Sequence, residues 1–297
     1  MMRLTPASRK RANWWARKGT PATGRSGLGV VSVNGRRRVP SPPTRTIASN
    51  TDQSLRLGLM NLVDLFAQRL KMDPSGPLIT YYDTDTGERI ELSATSLANW
   101  INKTANFLTD ELAVDEGATI QLNLPLHWQS VIWLQAAWAC GVAVDIETRA
   151  QRSVVVTSQA HLPSSPADEL VVLSLRPLGL PCDVDLPVGA LDFATSVRTH
   201  GDYFAGPPRG TDRLALVDGQ EEFTDIDLVT AWTDTTRGDY KRVLFCGTDL
   251  TAASIGQAWV ATLINQGSLV LVCPSDQSQE RLTDLARQEG TRTIIRG

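Results

Sequence analysis

From Asn61 onward, short β-type runs alternate with amphipathic helical segments, and this alternation restricts what the chain can fold into. Residues 78–82 are β-branched and aromatic, whereas residues 93–112 place apolar side chains at helical spacing. Strands that alternate with helices of this length pack in layers around a mostly parallel sheet. The sequence therefore predicts an α/β fold with a layered, largely parallel sheet flanked by helices.

The residues at the ends of these segments agree with that fold class. Asn61 and Ser93 are placed to cap helices, Gly141 to end one, and the turn residues 83–87 to join two strands in a hairpin. The expected strands are residues 78–82, 89–92, 118–124, 142–146, 153–158, 170–175, 214–217, 242–246, 268–273 and 291–295. The expected helices are residues 62–70, 93–112, 128–140, 190–200, 254–264 and 280–288. The chain stops just after the last strand, which predicts a truncated version of a longer fold.

Charge divides the chain into two parts. Residues 1–51 hold eleven Arg and Lys and no acid, although the whole chain has a net charge of −3. A segment this rich in Arg, Pro, Ser and Gly is typical of disorder. Three interpretations remain for residues 1–59: a translated upstream sequence before Met60, a disordered basic arm, or an anion-binding or transit segment. Residues 60–297 are the expected α/β domain, with a subdivision near residues 147–210 as an option.

Composition excludes several functions. No apolar run is long enough to span a bilayer, and the acidic folded part is unsuited to nucleic acid. The three histidines lie far apart and no two of the four cysteines form a CxxC pair, so neither a metal site nor a Cys–His nucleophile is indicated. We therefore expect cysteines that are small buried residues in a reducing compartment, the cytoplasm. The residues concerned are His127, His161, His200, Cys140, Cys182, Cys246 and Cys273.

A series of short motifs follows the order found in one enzyme superfamily. These are the helix start at residues 91–97, the Glu-Gly step into a strand at 116–120, and the Ala-Cys-Gly helix end at 138–142. Residues 252–272 and 280–293 add a helix-Gly-strand unit and a helix-strand unit. This order resembles the N-terminal part of the adenylate-forming (AMP-binding, acyl-CoA synthetase-like) superfamily. It also resembles an uncharacterised actinobacterial family of short, degenerate AMP-binding-like proteins.

The same resemblance points to a missing nucleotide site. The superfamily has a Ser/Thr/Gly-rich loop with a Lys where this chain reads Asp218-Gly219-Gln220-Glu221-Glu222. That loop holds ATP phosphates on backbone N–H groups, whereas the carboxylates here would repel a triphosphate. The family's ribose-binding Asp and its C-terminal lobe would fall beyond Gly297. No catalytic, cofactor-binding or metal-binding residue is therefore carried over, and ATP and Mg²⁺ are not expected to bind.

Other candidate motifs have ordinary structural explanations. Gly27–Gly29 follows no strand, so it is not a dinucleotide fingerprint. Residues 247–249 follow a strand and are expected to form the turn that caps the next helix. His127 is expected to be a cap or surface residue. Trp133 and Trp138 are five residues apart, so we expect at least one to point outward.

These observations predict a non-catalytic homologue of the acyl-CoA synthetase N-terminal lobe that acts as a binding or scaffold module. Two alternatives stay open. In the first, the chain is one half of a split acyl-activating ligase. In the second, it is a small-ligand sensor that uses a vestigial acyl pocket. A protein partner or self-association is expected, because a truncated sheet should leave apolar surface near Ile295.

Overall fold

A computed structural model describes residues 31–32, 60–147, 152–163, 167–208, 210–233, 240–274 and 277–297. The interpretations of the basic arm, including Gly27–Gly29, therefore lie outside the described residues apart from Val31–Ser32. The strands are β1 (Val31–Ser32), β2 (Pro77–Asp83), β3 (Glu88–Ser93), β4 (Thr119–Asn123), β5 (Ala143–Asp145), β6 (Val154–Ser158), β7 (Glu169–Leu173), β8 (Leu191–Asp192), β9 (Leu214–Asp218), β10 (Glu221–Thr224), β11 (Arg242–Cys246), β12 (Ser268–Cys273) and β13 (Thr293–Arg296).

The helices follow the strands in the expected alternation. They are α1 (Leu62–Met72), α2 (Ala94–Asn106), α3 (Trp128–Cys140), α4 (Phe193–Ser196), α5 (Asp225–Thr233), α6 (Ala252–Ser254), α7 (Ala261–Ile264) and α8 (Gln279–Gln288). A π-helical turn at Phe107–Glu111 extends α2, and another at Ile255–Val260 joins α6 to α7.

The strands form two sheets in which most neighbours are parallel. The first sheet has the order β1-β13-β11-β12-β2-β3, and only its two edge strands run antiparallel to their neighbours. The second has the order β10-β9-β5-β4-β6-β7-β8, and only β10 is antiparallel. Antiparallel edges on a parallel sheet are common in layered α/β folds. The expected fold class is confirmed, with the strands divided between two sheets.

The local signals read from the sequence are confirmed at the atomic level. The Asn61 side chain accepts a hydrogen bond from the Asp64 N–H, and Ser93 accepts one from Ser96. Gly141 ends α3 in the left-handed region, with φ of 73°. Strands β2 and β3 pair antiparallel as the expected hairpin. Strands β1, β8 and β10 and helix α5 were not expected, because they are short or lack a clear period, and β1 lies in the segment that was predicted to be disordered.

One hydrophobic core lies between the two sheets. It contains Ile79 and Leu271 from the first sheet and Val144 and Leu216 from the second. Helix α3 runs through this core and contacts α1 and α2, and all of its thirteen residues are buried. The expectation that Trp133 or Trp138 points outward is therefore wrong. The two side chains do point to different sides, but both sides of α3 are covered.

The last strand also differs from the expectation. Ile294 and Ile295 are buried, so the expected apolar surface near Ile295 is not present. Helix α8 packs against this strand, and Val31–Ser32 pairs with Ile294 and Thr293 along its outer edge. Within the described residues, no helix is long and apolar enough to cross a membrane.

Candidate functional site

The carboxyl ends of the two sheets meet at one place. The Leu126 N–H, just after β4 in the second sheet, donates to the Thr248 carbonyl after β11 in the first, at 2.7 Å. The Ala252 N–H donates to the Asp218 carboxylate at the end of β9, at 3.0 Å. We call this region, residues 124–127, 145–147, 218–220 and 247–251, the strand-end junction. Ligands of open α/β sheets bind at such carboxyl ends, which makes the junction the first place to search.

The β9–β10 connection forms one wall of the junction. Asp218 pairs with Glu221, so only Gly219 and Gln220 lie in the turn. Gly219 has φ of 68°, which this two-residue hairpin requires. The tight turn expected around Asp218-Gly219 is confirmed. A turn of two residues is too short to wrap backbone N–H groups around a phosphate chain.

Two carboxylates lie at this turn, and a third lies at the end of the neighbouring strand β5. Asp218 accepts the Ala252 N–H at the start of α6, as described above. The Glu147 carboxylate lies so close to Gly219 that a side-chain carbon there would be 3.1 Å from it. Asp145 is buried at the end of β5 and forms an ion pair of 2.7 Å with Arg152. Sequence reasoning missed Asp145 and Glu147, although two acids directly after a strand were a usable signal.

The loop after β11 prepares a helix start. The Asp249 carbonyl accepts a hydrogen bond from the Ser254 hydroxyl at 2.7 Å. Thr251 and Ser254 form a capping box at the start of α6. The turn at residues 247–249 therefore does lead into a helix cap, but the capping residue is Thr251. Among the described residues, no three His, Cys, Asp or Glu side chains are grouped to hold a metal ion.

His127 lies at the inner side of the junction, and its ring does not gain a proton near neutral pH. Its Nδ1 accepts the Gln129 N–H at 3.2 Å, so the expected cap at the start of α3 is confirmed. The ring is buried, not at the surface, and its centroid lies 4.5 Å from that of Tyr81. Burial lowers the His127 pKa to about 3, with Asp83 partly opposing the shift. The ring is therefore neutral, and Nε2 carries its proton because Nδ1 accepts.

The four cysteines are free thiols. Cys140, Cys246 and Cys273 are buried as expected, and Cys182 is half-buried. Burial is the main cause that raises the pKa of Cys182 and of Cys273 to about 12. Protonated thiols are poor nucleophiles, so these two residues offer no nucleophilic chemistry. The other two histidines are apart as expected: His161 contacts Ser158, and His200 contacts Glu111.

An open pocket of about 450 Å³ lies at the opposite, amino end of the first sheet. Its two arginines are already bonded to protein atoms, and its lysine, Lys241, lies 3.5 Å from the Asn265 carbonyl. The Arg69 guanidinium donates to the carbonyls of Gly267 and Asp73 at 2.7 and 2.9 Å. Arg242 forms an ion pair of 2.6 Å with Glu289. These bonds join the ends of strands and helices, so this pocket is a structural feature.

Known proteins share this fold. Solved structures that match include an acyl-CoA synthetase of Brucella canis (15% identity, TM-score 0.65), coronafacic acid ligase from Pectobacterium brasiliense (12%, 0.59) and the nonribosomal peptide synthetase FmoA3 (18%, 0.58). The matches cover 82%, 79% and 78% of this chain, but 49%, 49% and 25% of those chains. The fold is therefore that of the N-terminal lobe of acyl-CoA synthetase-like enzymes. The chain spans about half the length of the first two of these proteins and a quarter of the third.

A relative with higher identity comes from Mycobacterium tuberculosis. It is a "TIGR03089 family protein", 45% identical over 145 residues, which are 45% of this chain and 57% of that protein. No family model matches the chain. The resemblance to the adenylate-forming superfamily is thus supported at the level of the fold.

Proposed function

We propose that this chain is a non-catalytic homologue of the adenylate-forming N-terminal lobe that acts as a binding or scaffold module. The β9–β10 turn is the observation that carries the proposal. In the superfamily that the sequence resembles, this position holds the ATP phosphates. Here it is a two-residue turn, faced by Glu147 and flanked by Asp218.

Electrostatics and space both oppose a triphosphate at this turn. Like charges about 4 Å apart cost on the order of 1–4 kcal/mol per contact. Glu147 and Asp218 lie at the turn, and Glu221 and Glu222 follow it on β10, whereas the charge of Asp145 is compensated by Arg152. Asp218 is also bonded to the backbone N–H at the start of α6, a position that would otherwise attract an anion. An anion that approached this helix start would therefore have to displace the Asp218 carboxylate. These features favour a scaffold without bound ATP or Mg²⁺.

Pyrophosphate exchange tests the proposal directly. We expect the purified full-length chain to exchange no labelled pyrophosphate into ATP with any of a panel of carboxylic acids. The variant with Asp218→Asn, Glu221→Gln and Glu222→Gln removes three charges but leaves the turn short. We expect this variant to remain inactive while its affinity for Mg·ATP, measured by calorimetry, rises. Acid-dependent exchange by the unmodified chain would overturn the proposal.

The split-ligase alternative gives a different result in the same assay. Exchange would then appear only after a separately encoded C-terminal lobe is added. The sensor alternative predicts saturable quenching of tryptophan fluorescence by a fatty acid, AMP or CoA, without exchange. We place the protein in the cytoplasm, an inference that the four free thiols support.

A further inference from the structure

The connection between β7 and β8 exposes an unusual amount of apolar surface. Six large apolar side chains are exposed in the described residues, and four of them lie in this connection. Leu178 is 73% exposed and Val188 fully exposed, and Leu180 and Val184 accompany them. We call residues 177–190 the apolar loop. Four exposed apolar side chains within one connection mark it as a candidate contact surface.

The apolar loop is held in a defined shape. Leu175 and Leu178 have φ of 54° and 60°, a backbone region that bulky residues rarely adopt. Hydrogen bonds to the loop backbone stabilise this conformation: Ser174 Oγ donates to the Leu180 carbonyl at 2.5 Å, and Arg198 donates to the Gly179 carbonyl at 3.2 Å. The outward direction of Leu178 is thus fixed by the fold. A preformed surface binds with a smaller entropy cost than a loose one.

The surroundings of the apolar loop are acidic. Residues 168–192 contain five acids and only one basic residue, Arg176. Four of the acids are exposed, namely Asp168, Glu169, Asp183 and Asp185. An apolar surface with an acidic rim fits a segment that combines large apolar side chains with positive charge.

This chain contains such a segment. Residues 9–18 read RKRANWWARK, with five basic residues around Trp14 and Trp15 and no acid. Tryptophan is among the side chains that contribute most at protein contacts. We propose that residues 9–18 of the same chain dock on the apolar loop, with Trp14 and Trp15 against its apolar side chains and the basic residues against its acidic rim. This proposal is independent of the nucleotide-site argument.

The length of the chain permits this docking. Val31–Ser32 lies at one edge of the first sheet, and β3 at the other edge contacts Pro177–Gly179 at the start of the apolar loop. Six strands spaced about 4.8 Å apart separate these edges by about 24 Å. The twelve residues 19–30 reach up to about 40 Å when extended. The extended length of residues 19–30 therefore exceeds the edge-to-edge distance to the start of the apolar loop.

Limited trypsin digestion of the full-length protein tests the docking. Trypsin cuts after each basic residue of the segment, and cleavage after Arg45 provides an internal reference within the same sample. We expect Leu178→Asp and Val188→Asp each to speed cleavage within residues 9–18 by about tenfold relative to the reference, the factor that 1.4 kcal/mol represents. Asp183→Lys with Asp185→Lys should do the same by reversing the rim charge. Mass spectrometry of the early fragments gives the rates.

Met72→Asp is the matched control, since Met72 is 56% exposed and lies on α1, away from the apolar loop. It should leave the cleavage rate unchanged. Equal rates in the unmodified protein and in all loop variants would overturn the proposal. Protection that increases with protein concentration would also overturn it, because a second copy would then cover the loop.

Discussion

Gly141 ends helix α3 in a backbone conformation that only glycine adopts without strain. Its φ is 73°, and a side-chain carbon there would collide with the Arg213 guanidinium, which lies at the carboxyl end of the helix. A cation at this end interacts favourably with the helix dipole. A side chain at this position would therefore move the flexible end of Arg213 away from the helix end, in addition to straining the backbone.

We expect Gly141→Ala to lower the free energy of unfolding more than Gly117→Ala. Both positions have a positive φ, so both variants carry a strain of about 1 kcal/mol. Gly117 has no atom within 4 Å of the added carbon, whereas Gly141 also displaces Arg213. Urea unfolding of the two variants gives the difference. Equal losses would show that the Arg213 contact adds nothing.

His127 makes stability depend on pH. Burial lowers its pKa to about 3 in the folded protein, whereas an exposed histidine titrates near 6.5. Below pH 6.5 the unfolded chain binds a proton at this residue that the folded chain does not. The free energy of unfolding therefore falls with decreasing pH between about 6.5 and 3, by up to about 1.4 kcal/mol per pH unit from this group.

His127→Asn should weaken this dependence. Asparagine retains an acceptor for the Gln129 N–H and does not titrate. We expect the variant to be less stable at pH 7.5, because Tyr81 loses a ring contact, but to lose less stability on going to pH 5. Urea unfolding at the two pH values measures both quantities. An unchanged loss between pH 7.5 and 5 would assign the dependence to other groups.

At the scale of elements, sequence patterns predicted most strands and helices, but they did not predict which elements pack around each of them. The alternation of residues 78–92 gave the β2–β3 hairpin, since turn chemistry and period 2 act locally. Helix α3 shows the limit. Spacing indicates that Trp133 and Trp138 face different directions, and only the packing of other elements decides that both directions are covered. A helix that is apolar all round is typical of a buried one, and that signal was available.

The candidate site divides in the same way. The tight turn at Asp218-Gly219 was predicted, because the conformation of a tight turn depends mainly on the residues within it. Its partners were not: the Ala252 N–H comes from an element 34 residues away in sequence. Glu147 lies beside Gly219 because β5 and β9 are neighbours in the sheet. Long-range contacts of this kind leave no periodic signal in one sequence.

Helix α3 gives a prediction about its tryptophans. Trp133 is fully buried, and Trp138 donates a hydrogen bond from Nε1 to the Ala215 carbonyl at 2.9 Å. We expect Trp133→Ala and Trp138→Ala each to lower the free energy of unfolding by about 3–5 kcal/mol. Trp100→Ala, at a half-buried position on α2, should cost less. Thermal and urea unfolding check this order, and a stable Trp138→Ala protein with altered oligomeric state would contradict it.

For the whole molecule, composition and the alternation of strands with helices predicted the α/β class. A single sequence does not show how the strands are divided between sheets. Strand β2 pairs with β12, nearly 200 residues later, as in the register of Ile79 with Leu269. Strands β4 to β10 form the second sheet instead. Helix α3 and its neighbours fill the space between, so that neither sheet has a core of its own on that side.

A shared core predicts that the two sheets unfold together. Leu271 in the first sheet and Leu216 in the second are both fully buried in it, which makes Leu271→Ala and Leu216→Ala a matched pair. Each should lower the stability by about 2–5 kcal/mol and leave the slope with denaturant unchanged. Tryptophan fluorescence and far-ultraviolet circular dichroism should report one coincident transition in both variants, as two-state unfolding requires. Two separated transitions, with each variant shifting only one of them, would instead divide residues 60–297 into independent units, as the subdivision near residues 147–210 implies.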